Sequence, residues 1–546
     1  MRARDYVLLV LLCVALFVPG LARMPPLDRD EPRFAQASRQ MVESGDFIDI
    51  RFQAEPRLKK PVGIYWLQAA TAAVFSAADS DRIWPYRLPS TVGATLAVLL
   101  TAALGARLFG REAGLVAALL LASCAVLSAE ARIAKTDAAL LASVVAAQLA
   151  LGKAYLERDR QETPGYANPI LFWAALGAGI LIKGPIILMV SGLTALGLVL
   201  WDRSARWLQR LKPWPLVLLT ILVVAPWVIG IMLRTKGAFL TESVEHDLLG
   251  KVAGAQEAHG APPGFFLVTF WGTFWPGSLL AALAIPWVWR HRRDDAVRFC
   301  LAWLVPSWLV FEAVPTKLVH YTLPLVPAIA LLAARAALEP FPRFNSRAGR
   351  IFVGVAVGGW LLITAAMAAG LPLAPAIVEH RIDVAALAVG VAALLAFLAA
   401  LYFFRAGRRP AALRCLVVGC VAFYATVYDR VIPELDALWI STRVANAVRA
   451  AERCPKTVVT SVGFAEPSLV FILGTDTAFG NSRAAARAIA DNRCAMALVD
   501  APSIEAFRAE LAETGKEARE VATIDGINMA RGKPVTLTLF EVVGES

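Results

Sequence analysis

The sequence predicts a polytopic α-helical membrane protein of about 13 spans, ending in a small α/β domain. Three observations predict it. Apolar runs recur from the N-terminus to about residue 428, and 58% of the 546 residues are hydrophobic, with mean hydropathy +0.60. Cationic clusters sit in short loops at every second connection between those runs. After Asp429 the apolar runs give way to short, alternating helix and strand signals.

The spans are expected at roughly 6–22, 87–108, 113–130, 138–156, 170–183, 185–201, 214–233, 264–289, 297–313, 320–338, 351–370, 383–404 and 411–428. The first also resembles a secretory signal, with Arg2 and Arg4 before it, but a retained helix is preferred. The net charge of +11 does not indicate nucleic acid. The basic residues lie in connections, such as Arg107 and Arg111, Arg290 to Arg293 and Arg405 to Arg414, where they report topology. They put the N-terminus inside and the C-terminal domain outside.

On this reading residues 1–428 form the membrane domain and 429–546 the outer domain. Residues 23–86 form a long first outer loop, in which Pro61 to Gln68 suits a helix lying along the membrane surface. In the outer domain, Thr442 to Arg453 and Ser503 to Thr514 read as helices. Thr457 to Val462, Met496 to Val499 and Val535 to Val542 read as strands. Cys454 and Cys494 fall in this domain, where an oxidising compartment would allow a disulfide. The other five cysteines lie in apolar runs and read as small buried hydrophobes.

The chemistry-bearing residues gather on the outer side. Asp30-Glu31 directly follows the first span, and Asp137 lies between two later ones. A carboxylate at the membrane edge can accept a proton or orient a hydroxyl nucleophile. The alternatives are helix capping, or pairing of Asp137 with Arg132 or Lys135. Lys60, Lys183, Lys251 and Lys317 lie at span ends or outer loops, against the positive-inside trend. A phosphate-bearing lipid would explain several such cations at once. His246 and His259, with Glu242, Glu245, Asp247 and Glu257, share one outer loop and match no short zinc motif.

Four motifs in order then carry a resemblance: Asp30-Glu31-Pro32-Arg33-Phe34-Ala35, Lys60-Pro61-Val62-Gly63-Ile64-Tyr65-Trp66-Leu67, Thr136-Asp137, and Lys317-Leu318-Val319-His320-Tyr321-Thr322-Leu323-Pro324. Together they resemble the bacterial branch of the protein mannosyltransferase superfamily, in particular the lipid A aminoarabinose transferases. That resemblance implies a GT-C fold and an inverting transfer from a polyprenyl-phosphate sugar to a lipid or glycan acceptor, at the periplasmic face of the bacterial inner membrane. It makes Asp30 the leading catalytic carboxylate and Asp137 the second, with Glu31 beside them. It assigns Lys60, Lys317 and Tyr321 to the lipid phosphate. Lys183, Lys251, Arg33 and Tyr65 join them as substrate-binding candidates. No cofactor is assigned. A divalent metal is compatible with the family, but Lys59 stands where the aminoarabinose transferases usually carry a metal-linked Glu, and Glu55 could replace it only if the loop folds back. A protein or other glycan acceptor is the alternative within enzymes. A flippase for a lipid-linked sugar is the alternative outside them, and would place charges near the middle of spans and broken helices there.

Overall fold

The computed structural model describes residues 1–76, 81–243, 260–339, 346–452 and 454–543. His246, His259, Glu245, Asp247, Glu257 and Lys251 lie outside the described residues. The chain is mostly helical. Seven of its described helices are long and apolar enough to cross a membrane, and several shorter apolar helices accompany them. Each of the 13 apolar runs falls on a helix or on a pair of helices.

The helices that position the site are α1 (Ala3–Phe17), α2 (Asp30–Ser44), α3 (Gly63–Phe75), α4 (Trp84–Phe109), α5 (Arg111–Ala122), α6 (Ala125–Glu130), α7 (Asp137–Leu156) and α8 (Ala167–Lys183). Two runs expected as single helices are broken. One divides into α5 and α6 around Ser123-Cys124, and the other into Phe265–Thr273 and Ser278–Arg290. The breaks meet. The Ala125 amide donates to the Trp275 carbonyl at 3.0 Å, and Cys124 Sγ donates to the Thr273 carbonyl at 3.0 Å. Each interruption thus satisfies backbone groups freed by the other, which irregular chain at membrane depth requires.

Two glycines set the helix spacing near the site. A Cβ on Gly93 of α4 would lie 2.7 Å from Ala139 Cα of α7. A Cβ on Gly63 of α3 would lie 2.8 Å from the Leu181 carbonyl of α8. Only the missing side chains allow these backbones so close.

The first outer loop is more ordered than its polarity suggests. It contains α2, a short hairpin of β1 (Arg51–Phe52) and β2 (Glu55–Pro56), and α3 at the expected surface helix. The C-terminal region is a five-stranded mixed sheet, β3 (Val458–Val462), β4 (Ala478–Gly480), β5 (Ala495–Asp500), β6 (Ala518–Asn528) and β7 (Lys533–Val542), in the order β4-β3-β5-β7-β6. β3 runs parallel to β4 and β5, and β7 antiparallel to β5 and β6. Alternation along β5 divides its side chains. Met496 and Leu498 pack with Ile440 and Val444, while Ala497 and Val499 pack with Ile489 and Phe507 on the other face. Cys454 and Cys494 form a disulfide with a Cα–Cα distance of 5.7 Å.

The sheet region docks on the first outer loop through the Pro467–Leu473 helix. Its buried Phe471 meets Tyr86 edge-on at 5.6 Å and lies under the Arg39 guanidinium at 4.9 Å. Arg39 Nη1 also donates to the Phe471 carbonyl at 2.8 Å.

Candidate functional site

The two neighbouring acids at the head of α2 have different surroundings. Glu31 is 1% exposed, and its carboxylate accepts four N–H groups. Arg87 Nε and Nη2 donate at 2.8 and 2.9 Å, and the Leu27 and Ala134 amides at 2.8 Å each. Arg87, fully buried, spends its remaining donors on the Leu21, Met24 and Pro25 carbonyls. Four donors fill a carboxylate's acceptor sites. Glu31 therefore has no room to take a proton from a substrate, and this geometry fits a fastener of three segments rather than the catalytic role expected of it. Asp30, one residue earlier, is exposed.

Asp137 heads α7 and is 6% exposed. Lys183, the last residue of α8, donates to it at 2.5 Å, and Lys183 Nζ lies 5.5 Å from the Tyr321 ring centroid. His320 Nε2 stands 3.8 Å from Asp137, and its Nδ1 3.5 Å from Glu130. Glu130 also pairs with Lys135 at 3.4 Å. Of the two partners weighed for Asp137, Arg132 is turned elsewhere: its guanidinium donates to the Leu16, Pro19 and Ser128 carbonyls. Lys135 lies between acids. Burial pulls its ammonium toward neutrality, but Glu130, Asp137 and Asp30 outweigh that and hold its pKa above the usual lysine range.

Gly63 sets α3, and with it the preceding Lys60, beside the end of α8 that carries Lys183. Tyr65 is fully buried; its hydroxyl accepts from Arg57 Nε at 3.0 Å, and its ring packs on Phe34 at 5.2 Å. The Arg57 guanidinium covers the Phe34 ring at 4.9 Å. Arg57, Arg33 and Lys59, with Glu55 and Glu242, line a cavity of about 590 Å³ against the β1–β2 hairpin. Glu55 does therefore fold back to the cavity that Lys59 lines. Lys317 is buried, with two of its three N–H groups committed to the Ala261 and Val314 carbonyls at 2.9 and 2.7 Å. One donor remains for a ligand. Lys251 is outside the described residues.

The structure thus brings Asp137, Lys183, His320 and Tyr321 together, and joins them to the Asp30 end of α2 through the 131–136 link. Sequence reasoning passed over Glu130, Lys135 and Arg57 as site residues. The signal for the first two was present: Glu130 and Lys135 are charges flanking a short link between apolar runs, where solvent alone rarely accounts for them. Among the described residues no group of three or more His, Cys, Asp or Glu side chains converges as metal ligands.

The comparisons agree with the motifs. Residues 59–229 match the family described as dolichyl-phosphate-mannose-protein mannosyltransferase. The chain is 30% identical over 361 residues to an undecaprenyl phosphate-alpha-4-amino-4-deoxy-L-arabinose arabinosyl transferase of Pseudomonas aeruginosa, covering 64% of this chain and 63% of that protein. It thus spans a little under two thirds of that relative. In fold it is similar to ArnT from Cupriavidus metallidurans, solved bound to undecaprenyl phosphate, with a TM-score of 0.76, 20% identity and 97% of each chain covered. The oligosaccharyltransferase of Archaeoglobus fulgidus aligns with a TM-score of 0.50 and 11% identity, over 95% of this chain and 69% of that one. The resemblance read from the motifs holds: the chain is similar to the bacterial polyprenyl-phosphate-sugar transferases and has their fold.

Proposed function

We propose that this multi-pass membrane protein is an inverting glycosyltransferase that moves a sugar from an undecaprenyl-phosphate donor to a cell-envelope acceptor such as lipid A. The carrying observation is the buried Asp137–Lys183 ion pair at helix ends, tied to the head of α2 by the Ala134–Glu31 bond, with Arg33 of α2 lining a cation-lined cavity, on a fold shared with a protein solved with undecaprenyl phosphate. The acid–base pairs sit at the heads and tails of α2, α7 and α8 rather than at mid-span. That arrangement favours chemistry at the membrane face over transport through it.

In this reading the acceptor oxygen attacks the anomeric carbon of the sugar. The bond from that carbon to the lipid phosphate oxygen breaks, and its electron pair leaves with the phosphate. The acceptor's proton passes to Asp30. Lys60, Arg33 and the remaining Lys317 donor hold the phosphate and stabilise the charge it gains on leaving. Asp137, fixed by Lys183, orients the acceptor or faces the positive charge that develops on the sugar ring. The Glu55 and Glu242 carboxylates stand among Arg33, Arg57 and Lys59, a donor set that does not suit a divalent ion, and no step is routed through one.

The accompanying topology has about 13 spans in the inner membrane, with the 429–546 domain in the periplasm. The test is to incubate the purified chain in lipid discs with polyprenyl-phosphate sugars and lipid A, and to read products by mass spectrometry. A glycosylated acceptor supports the proposal. Translocation of the lipid-linked sugar across vesicles without product overturns it.

A further inference from the structure

We propose that the C-terminal sheet is part of the transfer machinery, and that Arg29 is the positioning residue through which its β6–β7 turn sets Asp30; this rests on the transferase reading above. Arg29 caps the head of α2, directly before Asp30, and its backbone stands at φ 78°, ψ −95°. Residues other than glycine seldom take positive φ, and those that do mostly settle in the left-handed helical region. Arg203, Lys212 and Lys236, which flank other helices of this chain, do so, with ψ of 32°, 59° and 38°. Arg29 lies outside that region, near the strained γ-turn conformation. A side-chain-bearing residue stays there only where its surroundings hold it.

The hold comes from two sides. From the sheet, Arg29 Nη2 donates to the Ala530 carbonyl at 2.5 Å. Ala530 lies in the tight β6–β7 turn, where the buried Asn528 accepts from the Gly532 amide at 2.7 Å through its carbonyl and from the Arg531 amide at 3.0 Å through Oδ1. From the membrane side, the Leu27 amide donates to Glu31 Oε2 at 2.8 Å, closing a loop across residue 29, and Arg87 seals Glu31. The grip continues along α2. Gln36 and Arg39 share the side of the helix that follows Arg29, and both reach the C-terminal region. Gln36 Nε2 donates to Thr475 Oγ1 at 2.8 Å, and Arg39 Nη1 to the Phe471 carbonyl at 2.8 Å. On the other side, Ser38 Oγ donates to Gln68 of α3 at 2.8 Å. The membrane helices thus fix Glu31 and the sheet fixes Arg29, with Asp30 exposed between them. Releasing Arg29 lets the backbone leave its strained conformation and re-aims the Asp30 carboxylate, while the donor-binding cations stay in place.

The test uses the full chain in lipid discs and compares wild type with Arg29→Ala, Arg29→Gly and a turn swap that replaces residues 529–532 by Asn-Gly. Each variant removes the contact with Ala530. Alanine keeps the steric penalty at this φ and relaxes, whereas glycine holds the conformation without penalty. Arg29→Ala and the turn swap are expected to lower kcat by about 10–10²-fold, with an unchanged KM for the polyprenyl-phosphate sugar that wild type turns over. Arg29→Gly is expected to lie closer to wild type. Arg29→Ala combined with the swap should cost no more than either alone. Hydrogen exchange of the segment carrying the Leu27 amide should follow the same order, with protection lost in Arg29→Ala and better kept in Arg29→Gly. Wild-type behaviour of Arg29→Ala overturns the proposal. So does a glycine variant as impaired as the alanine one, or a raised donor KM with kcat intact, either of which makes the guanidinium a substrate contact. Should the turn swap fail to fold, the alanine–glycine comparison decides alone. Exchange is independent of product, so absence of any transfer by wild type counts against the proposed function and leaves the test of Arg29 intact.

Discussion

At the residue scale, adjacent carboxylates at the head of α2 are set to different work by what surrounds them. Glu31 accepts four N–H groups and is sealed by a buried arginine, whereas Asp30 is exposed. Glu31→Gln would leave the Arg87 guanidinium buried without its counter-charge, at a cost of about 3–5 kcal/mol. Thermal unfolding in detergent should show this as a large fall in Tm or as loss of folded protein. Lys183→Met should spare folding better but deprive Asp137 of its ion pair, lowering kcat/KM by about 10²-fold in a transfer assay. The sequence displays Asp30, Asp137 and the lysines because charges at the ends of apolar runs stand out. It conceals the Glu31–Arg87 pair because the partners are separated by 56 residues and meet only once α4 packs on the outer loop.

At the scale of elements, hydropathy is a good guide to where helices lie and a poor one to where they break. Run lengths locate α4, α7 and α8 closely, since a helix that crosses the membrane is apolar whether its faces meet lipid or, as for most of α7, other helices. The interruptions at Ser123-Cys124 and Trp275-Pro276-Gly277 barely dent the hydropathy, and each supplies hydrogen-bond partners to the other. α2 shows in the sequence only as a possible helix start at Asp30-Glu31, because it is polar and packs on protein. Close approach is also invisible in sequence. Gly93→Leu should force α4 from α7, with a backbone atom 2.7 Å from the new Cβ position. We expect destabilisation of about 1–3 kcal/mol, read by denaturation. Activity should fall further than stability, because α7 carries Asp137 and small misplacements cost rate steeply.

At the scale of the whole molecule, the C-terminal sheet is held on the outer loop by one aromatic plug and a polar margin. In that margin the Asp28 carboxyl is pushed from 3.8 up to about 7, first by burial and then by the nearby Glu466, while Ser468 and Arg33 pull the other way. The sign follows from proton counting. Between the two values the docked state holds a proton that the free state has released. Docking is therefore fully stabilised below the ordinary carboxylate range, weakens as pH rises toward 7, and is level beyond. Asp28→Asn should abolish that dependence and raise Tm by a few degrees at alkaline pH. Hydrogen exchange of residues 467–473 against pH checks it; protection that rises with pH would contradict it. The strands at 457–462, 496–499 and 535–542 were legible from their β-branched and apolar runs. β6 was not, because its edge position leaves it mixed and partly exposed.

The central claim is that this chain transfers a lipid-linked sugar using Asp30 as the proton acceptor. It is tested most directly by comparing wild type with Asp30→Asn, at matched folded amounts, for transfer from an undecaprenyl-phosphate sugar to lipid A and for binding of the donor. The account predicts product from wild type, about 10²–10⁴-fold less from the variant, and donor binding unchanged. Full transfer by Asp30→Asn would contradict it.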